Sequence, residues 1–133
     1  MAVDLPDELP TEAALLDRMG IELLEVGTDR LVATMPVEGN TQPFGLLHGG
    51  ASCVLAETLG SIGSTMWGLP DRYAVGVDIN ATHHRAVREG VVTGVATPIH
   101  RGRSVTTYEV LVSDDQDRRV CTARITCLLV PRH

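Results

Sequence analysis

The chain contains no lysine, a single phenylalanine and a single tryptophan, and aromatic residues make up only 3% of its 133 positions. Every permanent side-chain cation is therefore one of 11 arginines, whose planar fork of donors suits phosphate. Long apolar runs are also missing, since none approaches the ~18 residues that a bilayer-spanning helix requires. The first residues, Met1-Ala2-Val3-Asp4-Leu5-Pro6-Asp7-Glu8, have neither the basic start nor the apolar stretch of a secretory signal. Together these absences predict a cytoplasmic chain with no membrane partner. Cysteine is scarce as well. Cys53, Cys121 and Cys127 include no Cys-x-x-Cys pair, which argues against a disulfide framework and a zinc site alike. They read as small buried hydrophobes, and no metal is expected.

What is present begins with charge. The net charge of −6 argues against general nucleic-acid binding. Its distribution is uneven: residues 1–40 carry nine acids against Arg18 and Arg30, whereas residues 83–104 carry Arg85, Arg88, Arg101 and Arg103 with His83, His84 and His100 against the single acid Glu89. One basic window in an acidic protein points to a local anionic ligand.

The most informative stretch runs from Gln42 to Met66. From His48 onward, Ala51, Val54, Leu55, Leu59, Ile62 and Met66 recur at three- and four-residue steps, the period of a helix with one buried face. This predicts a helix from about Gly49 to Met66, opening on two glycines after a histidine. Its one charged side chain, Glu57, sits among apolar and small residues and must be solvated, paired or raised in pKa. A second line, Gly49/Gly50, Cys53, Ala56, Gly60 and Ser64, is small, which suggests that another backbone approaches there. Gly49 and Glu57 are about 12 Å apart along the axis at the usual helical rise. One substrate group cannot easily touch both on one chain. Two copies of the helix, antiparallel about a two-fold axis near Cys53, would set Gly49 of one beside Glu57 of the other.

Around this helix the chain reads as one domain. Residues 1–20 are an acidic lead-in and a short helix, with Thr11 as its cap and Gly20 as its stop. The main domain spans 21–133. Ile21 to Val26 and Arg30 to Val37 alternate around a Gly27-Thr28-Asp29 turn, as a hairpin does. After Gly68-Leu69-Pro70 come four strands: Tyr73 to His83, Gly90 to His100, Ser104 to Val112 and Arg119 to Val130. Short links favour antiparallel neighbours. The fold class is α+β: one long central helix wrapped by a curved antiparallel sheet of about six strands. On a strand, His83 and His84 would point to opposite faces, which excludes their convergence on one ion.

Two strands, a long helix and four strands, with Gln42, His48-Gly49-Gly50 and Glu57 at these spacings, resemble the hot-dog-fold acyl-CoA thioesterases. The likeness is greatest to the branch acting on aryl and phenylacetyl-type thioesters, including 1,4-dihydroxy-2-naphthoyl-CoA and 4-hydroxybenzoyl-CoA thioesterases. It runs from Ile21 to Val130 and includes Val77-Asp78-Ile79-Asn80-Ala81-Thr82-His83, Arg88-Glu89-Gly90 and Pro98-Ile99-His100-Arg101-Gly102-Arg103. The resemblance implies that Glu57 acts as nucleophile or general base, that the Gly49 N–H polarises the thioester carbonyl, and that Gln42 orients the substrate. It gives Ser61 the positioning of water or carboxylate and His48 a scaffold or leaving-group contact. CoA contacts are implied for His83, His84, Arg85 and Ala86, and for His100, Arg101, Gly102, Arg103, Ser104 and Val105. No cofactor is implied, because CoA is part of the substrate. The resemblance also implies a homodimer as the minimal active unit and, more often, a homotetramer.

Elementary physics supports the Gly49 assignment separately, because a helix N-terminus presents free N–H groups and partial positive charge to a developing oxyanion. Phe44, Met66 and Trp67 flank the helix ends and line either an acyl pocket or the core. Two rival functions fit the same fold: an acyl-thioester hydratase or dehydratase using His48 with an acidic partner, and a non-catalytic acyl-CoA-binding protein. The first fits the glycine pair and the later segments less well. The second leaves Glu57 without a task.

Overall fold

The computed structural model describes residues 5–7, 9 and 13–132. Its elements are α1 (Ala14–Met19), β1 (Glu22–Glu25), β2 (Leu31–Pro36), α2 (Gly49–Gly68), β3 (Arg72–His83), β4 (Val91–Arg101), β5 (Val105–Ser113) and β6 (Arg119–Pro131). Six strands form one antiparallel sheet in the order β1-β2-β4-β5-β6-β3, with α2 against its inner face. This is the α+β arrangement that the sequence predicts. Gly20 ends α1 at φ 72°, a left-handed conformation that favours glycine. The residue before α1 is Ala13, which offers no side-chain cap, and Thr11 lies outside the described residues.

The core follows from the two periods. Along β5 every second residue turns inward, so Thr106, Tyr108, Val110 and Val112 are all fully buried. On α2, Leu55 and Leu59 point into the same core, and burying each contributes about 1.5–3 kcal/mol. The buried hydroxyls are satisfied: Thr106 Oγ1 donates to Ser64 Oγ at 2.6 Å, and Ser64 Oγ donates to the Gly60 carbonyl at 2.7 Å.

One expectation is overturned. The small residues that the sequence assigns to a second helix, Ala56, Gly60 and Ser64, face the chain's own sheet and are buried there. A Cβ added at Gly60 would overlap Ile125 Cγ2, and one at Gly63 would stand 2.9 Å from the Tyr108 ring. The physical reason is the bulk of Ile125 and Tyr108, which leaves no room for side chains on the helix above them. At the other end of that line, Gly49 and Cys53 are half-buried and Glu57 is exposed. The helix also runs two residues past Met66, to Gly68.

At the edge of the sheet, β3 pairs with β6 alone among the described strands, leaving one side of a 12-residue strand open. Tyr73, Val75 and Val77 are exposed along it. A long open edge with apolar side chains is a template for pairing.

Candidate active site

The site begins in the loop that delivers the chain to α2. Gln42 and Leu46 close a tight turn, with Gln42 N–H donating to the Leu46 carbonyl at 2.8 Å and Gly45 at φ 79°. The Gln42 carboxamide oxygen accepts the Phe44 N–H and, at 3.4 Å, the Leu46 N–H. Its NH₂ group is thereby left as the donor. His48 N–H donates to the Asn40 carbonyl at 2.9 Å, fixing where the helix starts.

His48 is the N-cap. Its Nδ1 accepts the Gly50 N–H at 2.8 Å, and its carbonyl accepts the Ala51 N–H at 3.0 Å. Among the described residues nothing accepts the Gly49 N–H. One amide at the positive end of a 20-residue helix is therefore free to meet a ligand.

Beside that amide lies a cavity of about 320 Å³ lined by Gln42, Gly49, Ser52, His83, His84 and Arg85. Ala86 borders it as well. Sequence distant by some 35 residues is thus brought to one place, because α2 lies along β3 and sets Gly49 on His83. The contact is close, since a Cβ at Gly49 would stand 2.8 Å from His83 Nε2. His83 and His84 both border the cavity, because β3 ends at His83 and strict alternation no longer governs the next residue. His84 Nε2 lies 2.9 Å from Thr122 Oγ1. His48 borders a separate groove of about 310 Å³ with Met19, Asn40, Thr41, Ala51 and Val54.

Glu57 does not line the Gly49 cavity. Two turns further along, it lies over β3, where a Cβ at Gly76 would be 3.8 Å from its carboxyl carbon. Its charge acts on nearby thiols: burial first, and then Glu57, pushes the Cys53 thiol up. Cys127 is also raised, mainly by burial, with hydrogen bonds from Ser64 and Ser61 pulling the other way and Glu57 adding a smaller push. Ser61 is half-buried, with Oγ 3.9 Å from Cys127 Sγ.

The second basic segment lies at the opposite end of α2. Trp67 Nε1 donates to the Gly102 carbonyl at 3.0 Å, and Arg72 donates to the Arg103 carbonyl. Arg101 stacks over the Trp67 ring at 4.8 Å and pairs with Asp29 at 2.7 Å. Its guanidinium is thus engaged within the chain, whereas His100, Arg103, Ser104 and Val105 are exposed. Phe44 is 82% exposed, which removes it from the core. Within one copy, then, the structure gathers Gln42, Gly49 and residues 83–86, and leaves Glu57, Ser61 and residues 100–105 elsewhere.

Sequence reasoning passed over Asn40 and Ser52. Asn40 is buried, and its Nδ2 donates to the Met19 and Pro36 carbonyls, each at 2.8 Å, tying α1 and β2 to the helix start. Its place in a turn-rich stretch gave no sign of burial. Ser52, buried beside the cavity, looked like any small helical residue.

A long helix held in the curve of an antiparallel sheet, with an unoccupied amide at its start, is the arrangement of a hot-dog thioester hydrolase. The chain belongs to the Thioesterase superfamily, whose family profile matches residues 44–121. It is 50% identical over 113 residues to the proofreading thioesterase EntH of Cronobacter turicensis, a match covering 84% of this chain and 82% of that protein. The proofreading thioesterase EntH of Cronobacter sakazakii is 46% identical over 117 residues, covering 87% and 85%. Among solved structures, a thioesterase from Haemophilus influenzae has a TM-score of 0.84 at 40% identity, covering 88% of this chain and 82% of that one. A mutant thioesterase from Pseudomonas aeruginosa has a TM-score of 0.84 at 42% identity, covering 89% and 86%. The chain is a thioester hydrolase, and no described helix is long and apolar enough to cross a membrane.

Proposed function

We propose that the protein hydrolyses acyl-CoA thioesters at a site shared by two copies, with Gly49 and Gln42 from one and Glu57 from the other. The observation that carries this reading is a coincidence of midpoints. On α2 the midpoint of Gly49 and Glu57 is Cys53. On β3 those two residues lie against His83 and Gly76. His83 pairs with Cys121 and Gly76 with Cys127 on β6, so the midpoint is Arg124, opposite Asn80. Antiparallel pairing of two open β3 edges about Asn80 would therefore bring Glu57 of one copy to Gly49 of the other in a single symmetric step.

In that arrangement the thioester oxygen accepts the Gly49 N–H at the positive helix end, and the Gln42 NH₂ is a second donor. Glu57 either attacks the carbonyl carbon or takes a proton from the water that does so. The C–S bond then breaks with its electron pair on sulfur, releasing CoA and the acid. The same pairing carries residues 100–105 of one copy toward residues 83–86 of the other. Arg85 and Arg103, which have no side-chain ion-pair partner among the described residues, would face the CoA phosphates. We further propose aryl or phenylacetyl-type acyl groups, a homotetramer built from two such dimers, a cytoplasmic location, and proofreading as in the relatives' name.

The test is thiol release from benzoyl-CoA by Glu57→Gln. Loss of a group that acts on the reacting atoms should lower kcat about 10²-fold or more. Activity within a few-fold of the unmodified protein refutes the assignment. A panel of aryl, phenylacetyl, naphthoyl and aliphatic CoA esters then ranks the acyl groups.

A further inference from the structure

We propose that His83 donates the proton to the departing thiol sulfur, an inference that rests on the thioesterase reading above. Three histidines stand near the start of α2, and two have ring nitrogens engaged. His48 Nδ1 holds the Gly50 N–H, and its ring borders the groove away from the cavity. His84 Nε2 lies 2.9 Å from Thr122 Oγ1. Among the described residues no protein group takes either ring nitrogen of His83, and it lines the cavity.

Position points the same way. His83 Nε2 would be 2.8 Å from a Cβ at Gly49, so the imidazole packs on the residue whose amide is free. A carbonyl oxygen on that amide puts the carbonyl carbon about 1.2 Å further on. The sulfur is one bond beyond, within reach of a ring lying on Gly49. The titratable and charged groups around this ring are His84 and Arg85 beside it, Cys121 opposite it on β6 and, in the paired dimer, Glu57 of the second copy.

The step balances as follows. Water adds to the carbonyl carbon and gives one proton to Glu57. The C–S bond breaks, and sulfur takes the electron pair together with the proton held on His83 Nε2. Acid and thiol leave, and the proton on the Glu57 carboxyl passes to the imidazole, restoring carboxylate and imidazolium. No oxidant or further reactant is needed.

The experiment varies the leaving group. Benzoyl-CoA and the 4-nitrothiophenyl ester of benzoic acid share an acyl group, but nitrothiophenolate departs without a proton. His83→Gln should lower kcat for benzoyl-CoA about 10²-fold while its effect on the nitrothiophenyl ester stays below about fivefold. Equal losses on both esters, no loss on either, or a loss for benzoyl-CoA that lies in KM with kcat unchanged, as a plain CoA contact would give, overturn the proposal. His83→Asn with a melting curve provides the second variant should His83→Gln fold poorly. If the unmodified protein cleaves neither ester, the thioesterase reading itself fails, an outcome visible without any variant.

Discussion

Mixing two inactive variants tests the shared site directly. Glu57→Ala removes the carboxylate, and Gly49→Val fills the space over the first helical amide, where even a Cβ would meet His83 Nε2 at 2.8 Å. That ring ends a flexible side chain, so it can swing aside and let the variant fold. Gly49 and Glu57 are separated by eight residues, about 12 Å along the axis, which is too far for one carbonyl group to meet both in a single copy. If each site takes its glycine from one copy and its glutamate from the other, a mixed dimer has one site with both lesions and one with neither. Random exchange of equal amounts makes half of the dimers mixed, and each keeps one good site of two. The mixture should recover about a quarter of the unmodified activity, against a background near 1% for each variant alone. Thiol release from benzoyl-CoA, measured after refolding the variants together and separately, gives the comparison. Recovery no greater than the average of the separate samples refutes the shared site, because a site within one copy always retains a lesion.

Two further outcomes test the fold. Gly60→Ala should lower the urea midpoint by an amount corresponding to about 1–3 kcal/mol, since the added methyl overlaps Ile125 in a closed core. Gly60→Ala should cost less in an Ile125→Ala background, and additive losses in that double-mutant cycle would show that the two residues do not meet. Burial, and secondarily Cys53, pushes the Cys121 thiol from 9.0 to about 11. The folded state thus retains a proton that the unfolded chain releases, and the stabilisation is complete below pH 9 and disappears as pH rises toward 11. Cys121→Ala should reduce that alkaline decline in melting temperature without removing it, because Cys53 and Cys127 shift in the same direction. An unchanged slope between pH 9 and 11 counts against the shift.

Local chemistry made much of this fold readable. Apolar steps of three and four residues located α2, alternation located the strands, and a glycine with φ 72° closed α1 where the sequence placed its stop. What the sequence could not supply was the partner of each face. The line of small residues on α2 was visible, but nothing in it tells a second helix from the Ile125 and Tyr108 side chains that fill the space. Arg101 stood in a basic cluster, yet its partner Asp29 is 72 residues upstream and Trp67 belongs to another element. The candidate residues were legible as types, whereas their division between the two ends of α2 depended on how helix and sheet lie together.

The irregularity in β3 bears on which residues a symmetric pairing brings together. Gly76 and His83 are seven positions apart, and on an unbroken strand an odd separation puts two residues on opposite faces. Here the register against β6 shifts between Gly76 and Asp78, with Val77 as the extra residue. The shift returns Gly76 to the inner face, under Glu57, while Ile79 and Ala81 pack against the core and Asp78, Asn80 and Thr82 are exposed. A two-fold axis normal to the sheet requires paired residues to share a face. Centred on Asn80, the proposed pairing sets Ile79 opposite Ala81, Asp78 opposite Thr82 and Gly76 opposite His83, and each pair meets that requirement. Without the bulge the same centre would set Val77 opposite His83 and turn Gly76 to the outer face, away from Glu57, so a side chain instead of bare backbone would stand under the carboxylate. An alanine would fit at Gly76 in the isolated chain, where an added Cβ meets nothing nearer than 3.7 Å. In the proposed dimer the bare backbone at that position has a use, because it leaves room for the His83 ring of the second copy beneath Glu57.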